Sequence, residues 1–459
     1  MSDKPPYVIP AVAEILSAPR NGLTVLSTFT GAGGSCLGFA WAGYRTLAAC
    51  EFVEAARDTY RANFGDVPVY PSDVRGVSGA ELLALAGVDE VDVMEGSPPC
   101  ASFSTAGKRS AHWGQVRAYS DTEQRTDDLF DEYLRLVGEV QPRCFVAENV
   151  SGLVKGVAKG YFRQTMDLAR SKGYRVAAKL LDAQWLGVPQ RRQRVIIIGV
   201  RDDLGADPAF PDPLPYRYSI RDALPWLTAV RHDNSGFINR ELDVDREPMN
   251  AVTISGGAAP LHFKVAGLGT SRGERSLDDP APTVQSHHRP HTQSEMTVVT
   301  QYGPGSPARR HDPEEPAPTV MARGIGGVRE YQATVQRMHR GDIVADDVAE
   351  DLADFAIARE WDRLAPGESS ERYLNLVRPD ADEPVPTVSA VGARVPGIAS
   401  VTHPIERRKF TIGELRRLCG FPDDFVMTGT YAQQWERCGR AVPPPMMRAV
   451  AEALTPVLT

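Results

Sequence analysis

The residues best suited to chemistry begin with a single thiol. Cys100 sits in the stretch Val91 to Arg109, VDVMEGSPPCASFSTAGKR. Val91 to Met94 is a short apolar run of the kind that forms a buried strand. Gly96-Ser97-Pro98-Pro99 can continue neither a strand nor a helix, so Cys100 follows on a stiff turn. A thiolate there is a candidate nucleophile. Taken alone, Cys100 reads equally as a small buried hydrophobe. Its potential partners lie downstream. Glu148 of Glu148-Asn149-Val150 ends the apolar run Cys144 to Ala147, and Gln190-Arg191-Arg192-Gln193-Arg194 groups three guanidinium ions.

These side chains need a scaffold that delivers strand ends to one place. Leu23 to Phe29 is a β-rich run ending in Thr30-Gly31-Ala32-Gly33-Gly34, and Ser35 to Ala42 reads as a helix. Strand, glycine turn and helix form the first unit of a nucleotide-binding α/β fold. Arg45 to Ala49 is a second strand ending at Cys50-Glu51. Val67 to Tyr70 is a third, followed by Ser72-Asp73-Val74. Acids at such strand tips suit a ribose hydroxyl pair, or serve as plain helix caps.

Asp127 to Val140 has helical spacing, with Leu129, Tyr133, Leu136 and Val140 on one face. Tyr161 to Lys172 is another helix, and Arg175 to Leu181 with Arg194 to Val200 reads as a β pair. Residues 104–125 are polar and read as a loop over a site. Strands and helices alternate from 20 to 200. The expected fold is therefore α/β, a doubly wound and mainly parallel sheet with helices on both faces.

Composition bounds the function. The chain has 459 residues, 42% hydrophobic and 24% charged, with a formal net charge of −8. That balance describes a globular protein, and any nucleic-acid contact must come from local clusters. Candidate clusters are 191–194, Arg309-Arg310-His311, Arg407-Arg408-Lys409 and Arg416-Arg417. No apolar run approaches membrane length and no signal pattern opens the chain, so no membrane partner is expected. Six cysteines, at 36, 50, 100, 144, 419 and 438, form no metal spacing. Free thiols in a reducing cytoplasm, without a metal, are expected.

Seven motifs stand in order: FTGAGG, CE, SDV, GSPPCASFS, ENV, QRRQR and RRKFTIGELRRLCGFPDDF. In this order they resemble the DNA (cytosine-5)-methyltransferase family, over residues 23–200 and 403–455. The resemblance implies a Rossmann-like methyltransferase fold and S-adenosylmethionine as donor. It implies that Phe29, Gly31, Gly33, Gly34, Glu51, Phe52, Asp73, Val74, Pro99, Leu129, Arg440 and Ala441 meet that donor. Cys100 would be the nucleophile, Glu148 would hold the target base, and Arg192 and Arg194 would complete its pocket.

Such chemistry needs these residue types. Carbon 5 of cytosine is a poor nucleophile until a thiolate adds to carbon 6. Glu148 would draw density towards N3 and read the 4-amino group, while an arginine would donate to O2. The base must leave the duplex to be reached. The implied partner is double-stranded DNA, acted on by a monomer in the cytoplasm of a bacterial or phage-infected cell. A tRNA cytosine methyltransferase shares the motifs, but its recognition region is shorter than 205–400.

The expected division is a 1–20 arm, a 21–204 catalytic domain, a 205–402 target-recognition domain and a 403–459 return to the catalytic domain. Residues 205–402 are rich in Pro, Gly, Arg and His, and an acid-Pro pair recurs at 247, 279, 315 and 383. Pro-Thr-Val follows the last three pairs, with short strands expected after each. Between them, His287, His288 and Arg289 could read DNA; with His291, the two histidines are poor zinc candidates, because no cysteine accompanies them. Thr411 with Glu414 has capping-box spacing, and Gly439-Arg440-Ala441-Val442 precedes a last helix. The family has Asn where Arg440 stands, Gln where Cys419 stands, and commonly Asp where Ser27 stands. Arg440 therefore raises an alternative donor, carboxy-S-adenosylmethionine, with 5-carboxymethylcytosine as product.

Overall fold

The computed structural model describes residues 4–99, 117–119, 122–124, 126, 128–154, 158–227, 349–353, 355–393, 397 and 399–459, with four short strands between 241 and 322. Its centre is a seven-stranded sheet. The strands are β1 Thr24–Thr28, β2 Arg45–Cys50, β3 Val69–Tyr70, β4 Val93–Gly96, β7 Cys144–Val150, β8 Tyr174–Asp182 and β10 Gln193–Arg201. Two short strands, β5 Arg117–Tyr119 and β6 Thr122–Gln124, pair with each other between β4 and β7 in the chain. A two-residue strand, β9 Gln190–Arg191, precedes β10. The order across the sheet is β3-β2-β1-β4-β7-β10-β8.

All pairings are parallel except those of β10, which runs antiparallel to both β7 and β8. The chain crosses from β7 to the edge through the helix Ala158–Ser171, and β10 then fills the gap. This matches the expected mainly parallel sheet. Strand order reverses between β1 and β4, and in open α/β sheets ligands bind beyond the carboxyl ends at that point.

Alternation along the strands builds two cores. Val25, Val93, Val146, Ile196 and Ile198 face one side, with Phe39, Met446 and Val450. Leu26, Met94, Phe145, Val195 and Ile197 face the other, with Leu134, Val137 and Met166. On the first side the helix Gly34–Trp41 lies so close to the helix Pro444–Leu458 that a Cβ on Gly38 would meet the Pro444 carbonyl at 2.6 Å. The C-terminal segment thus completes the layer begun by the first helix.

A third cluster joins chain ends and flanks. Tyr7, Val12 and Ile15 pack with Tyr218, Ile220, Val385, Val388, Phe410, Ile412 and Trp435. The N-terminal arm is therefore docked. Tyr7 donates to the Arg417 carbonyl at 2.8 Å, and Asp424 accepts from the Val12 N–H at 2.9 Å. The expected capping box is present, with Thr411 and Glu414 exchanging hydrogen bonds at the start of the helix Ile412–Leu418.

Within the recognition interval, β11 Glu241–Leu242, β12 Leu261–Val265, β13 Val284–Ser286 and β14 Met321–Ala322 form an antiparallel sheet in the order β11-β13-β12-β14. β13 starts on the Val of one Pro-Thr-Val, and β14 follows the next. The last repeat differs: β15 Val385–Pro386 lies before Thr387 and pairs parallel with β9. Its flanking Val385 and Val388 are fully buried, so packing rather than the repeat sets that strand. Among the described residues no helix is long and apolar enough to cross a membrane.

Candidate functional site

The carboxyl ends of β1, β2, β3 and β4 converge on one cleft, enclosing about 890 Å³ of empty space including its solvent mouth. β1 ends in Phe29, which takes a left-handed conformation (φ 52°) rare for a non-glycine residue. Gly31 follows at φ 58°, and a Cβ there would meet nothing within 4 Å. Backbone geometry demands the glycine, and its exposed backbone is left to face the cleft. Gly34 has no such room: a Cβ would come within 2.3 Å of the Val442 carbonyl.

Glu51, at the end of β2, is only 8% exposed. Its two oxygens accept from the N–H groups of Gly31 and Val53, each at 2.7 Å. Burial raises its pKa, and those two hydrogen bonds oppose the rise. Glu51 thus braces the glycine loop while lining the cleft. Asp73 accepts from the Arg75 backbone at 3.0 Å and side chain at 2.7 Å.

Phe52, Val74 and Leu129 give the cleft apolar walls, and Pro99 closes the side towards the Cys100 turn. Arg440 and Ala441 contribute from the end of the helix Tyr431–Arg440. Apolar walls with carboxylates at the strand tips fit an adenosine-like ligand. Of the residues expected to meet a donor, Gly33 alone does not line this space. At φ 90° it is the N-cap of the first helix after β1, and a Cβ would strike Phe64 at 2.3 Å.

The second part of the site lies at the end of β7. Glu148 is 7% exposed, and its Oε1 lies 2.6 Å from Arg194 Nε across the β7–β10 pair. The alignment is not that of a hydrogen bond, so Oε1 keeps its accepting capacity. Asn149 Nδ2 donates to the Pro98 carbonyl at 3.1 Å. That bond joins the end of β7 to the segment after β4. Sequence reading did not single out Asn149, although its place inside Glu-Asn-Val was the available signal. Cys100 itself lies outside the described residues, as do most of 104–125.

Arg192 is held differently from Arg194. It is 1% exposed. Its Nη2 donates to the Gly439 and Ala441 carbonyls at 2.9 Å each, and its Nη1 to the Val388 carbonyl at 3.3 Å. Both Nη groups are thus held by backbone acceptors, while Nε has no hydrogen-bond partner among the described residues.

Two basic clusters are also structural. Arg408 pairs with Glu414 at 2.7 Å, and Lys409 with Glu350 at 2.6 Å, all four buried. Arg416 is buried against the Phe425 carbonyl, and Arg417 pairs with Asp423. These residues are braces of the C-terminal segment rather than a DNA surface. Arg191, by contrast, is exposed. Arg309, Arg310, His311, His287, His288, Arg289 and His291 lie outside the described residues. Among the described residues no group of three or more His, Cys, Asp or Glu is placed to hold a metal ion.

Arg440 lines the cleft and also meets Glu436, one turn earlier, at 2.6 Å. Arg437, Thr30 and Ser97 line the cleft too, although they were not among the residues expected to meet a donor. Arg437 falls one helical turn before Arg440, which was the signal for it.

The chain is similar to several known proteins. It is 28% identical to the Type II methyltransferase M1.HphI of Haemophilus parahaemolyticus, over 94% of this chain and 86% of that one. It is 36% identical to the Type II methyltransferase M.AquIA of a Picosynechococcus strain, over 41% of this chain and 75% of that one. Its fold resembles that of a prophage-encoded E. coli protein described as a DNA modification methyltransferase. That likeness has a TM-score of 0.57 and 21% identity, covering 95% of this chain and 99% of the other. The family model for C-5 cytosine-specific DNA methylases matches residues 23–455, and the chain belongs to that family.

Proposed function

We propose that this DNA cytosine-5-methyltransferase acts on a flipped-out cytosine in double-stranded DNA through a covalent bond between Cys100 and carbon 6. The observation that carries this reading is the tether from Asn149 to Pro98. It ties Pro98, two residues before Cys100 in sequence, to the residue that follows Glu148. Cys100 adds to carbon 6 of the ring, and carbon 5 becomes nucleophilic. Glu148 holds N3 and the 4-amino group, and Arg194 donates to O2 as charge develops there. S-adenosylmethionine, when bound, supplies an electrophilic methyl group on a sulfonium. After transfer a base takes the carbon-5 proton, the C6–S bond breaks and the thiolate leaves. Phe29, Gly31, Glu51, Phe52, Asp73, Val74 and Leu129 hold the donor, while the interior of 205–402 reads the DNA sequence. The Type II relatives favour a site-specific role in a restriction-modification setting.

A second reading concerns the donor and rests on Arg440 in the cleft wall. A guanidinium beside a cationic sulfonium is repelled, and Glu436 offsets part of that repulsion. A carboxylate on the transferred carbon would reverse the sign and pair with Arg440. One experiment addresses both readings. Purified enzyme is given DNA with S-adenosylmethionine and carboxy-S-adenosylmethionine together. Modified bases are then located by base-resolution conversion chemistry, and nucleosides are measured by mass. The main reading predicts 5-methylcytosine at one recognition sequence. The second predicts 5-carboxymethylcytosine, shifting to 5-methylcytosine in Arg440→Asn. Absence of any modified cytosine contradicts the function, and 5-methylcytosine alone contradicts the second donor.

A further inference from the structure

We propose that Arg192 is a positioning residue that fixes the donor-cleft wall from the base-pocket side, and so couples the two halves of the transfer site. The inference rests on the reading above of the cleft as donor site and of Glu148 with Arg194 as base pocket.

Arg192 occupies the one-residue link between β9 and β10. Its backbone is pinned on both sides, because its N–H donates to Asp182 at 3.1 Å and its carbonyl accepts from the Ala183 N–H at 3.0 Å. From there the side chain crosses to the end of the helix Tyr431–Arg440. The carbonyls it takes, those of Gly439 and Ala441, flank Arg440 in sequence. Helix C-termini leave carbonyls without intrahelical partners, and a cation there also meets the negative end of the helix dipole. Arg192 therefore acts as a cap supplied from another element.

The capped end has little freedom otherwise. A Cβ on Gly439 would meet the Ala390 N atom at 2.6 Å, so the helix end is pressed against the segment after β15. Arg192 Nη1 reaches the same segment at the Val388 carbonyl. One guanidinium thus joins the link before β10, the cleft-lining turn at Arg440 and Ala441, and the strand that pairs with β9.

A buried guanidinium is costly and could have been replaced by apolar packing. Here, among the described residues, no carboxylate is bonded to it and its Nε has no hydrogen-bond partner, and burial pushes its pKa down to about 9. What it gains is position. Arg194, two residues on, turns to Glu148, so one five-residue segment sets the base pocket and the donor wall together. A lysine could keep the charge but has no fork to span two carbonyls.

The test compares Arg192→Lys and Arg192→Met with Arg194→Lys in the full chain. S-adenosylmethionine binding is measured by calorimetry without DNA, and KM and kcat are measured with DNA. Both Arg192 variants are expected to weaken S-adenosylmethionine binding about tenfold or more, with DNA affinity within about twofold of wild type. Arg194→Lys is expected to lower kcat and leave S-adenosylmethionine binding unchanged. The proposal is overturned if Arg192→Lys binds S-adenosylmethionine as tightly as wild type, whether kcat falls or the melting temperature drops. Should Arg192→Met not fold, Arg192→Lys decides the outcome. If wild type itself binds no S-adenosylmethionine, the reading of the cleft fails rather than the role of Arg192.

Discussion

Glu95 shows how one side chain can tie catalytic geometry to pH. It is 2% exposed on β4, opposite Ser27 of β1 in the sheet register. Ser27 donates to it, and Ser27 is also 2.9 Å from Thr30 in the glycine loop. Cys36 lies 3.8 Å away. Burial raises the Glu95 pKa to about 7, against the hydrogen bonds from Ser27, Ser35 and Cys36, while Glu148 adds a like charge. The folded protein therefore holds a proton that the unfolded chain releases near the ordinary carboxyl value. Glu95 stabilises the fold at low pH, and this contribution is lost as pH rises through about 7. We predict that Glu95→Gln gains stability relative to wild type between pH 5 and pH 8, by up to about 3 kcal/mol. Thermal melts of both proteins at the two pH values check this. A difference independent of pH would mean that Glu95 has the same pKa in the folded and unfolded states.

At the scale of elements, legibility followed the strength of local signals. The apolar run of β10 and the amphipathic helix Leu129–Val140 were readable because one period dominates each. The helix Pro444–Leu458 was expected only as a last helix. Its tight seating on the first helix is invisible in sequence, because Gly38 and Pro444 are far apart along the chain. We predict that Gly38→Ala destabilises the protein by about 1–3 kcal/mol, since the added methyl must displace the Pro444 and Arg448 backbone. Urea denaturation of the variant measures it, and a cost below a few tenths would show that the two helices separate freely. At the site, Glu148 and the cleft residues were legible because strand ends fall at fixed motif positions. The direction of Arg192 was not, since alternate residues of an Arg-rich segment look alike until tertiary packing separates them. At Arg408 and Lys409, likewise, sequence shows charge but not the buried acids, Glu414 and Glu350, that pair with it.

Across the whole molecule, the two ends of the chain meet over one sheet. The N-terminal arm, the segment around 385–401 and the region after 403 share one hydrophobic cluster, while the first helix and the last close one face of the sheet. The cleft is thus assembled from the ends of β1, β2, β3 and β4 together with residues about four hundred positions later, such as Arg440. A net charge of −8 accompanies this DNA-acting fold, so contacts to phosphates must be local, and Arg191 is the exposed member beside the site. The proposed covalent mechanism depends on one thiol, that of Cys100. Wild-type enzyme, its S-adenosylmethionine and duplex DNA carrying 5-fluorocytosine at the recognition sequence should yield a denaturation-resistant protein–DNA adduct. Fluorine blocks the final proton loss, so the C6–S bond cannot break. Peptide mapping should place the linkage on Cys100, and Cys100→Ser should give none. No adduct with wild type, or a linkage mapped to another residue, would contradict the mechanism.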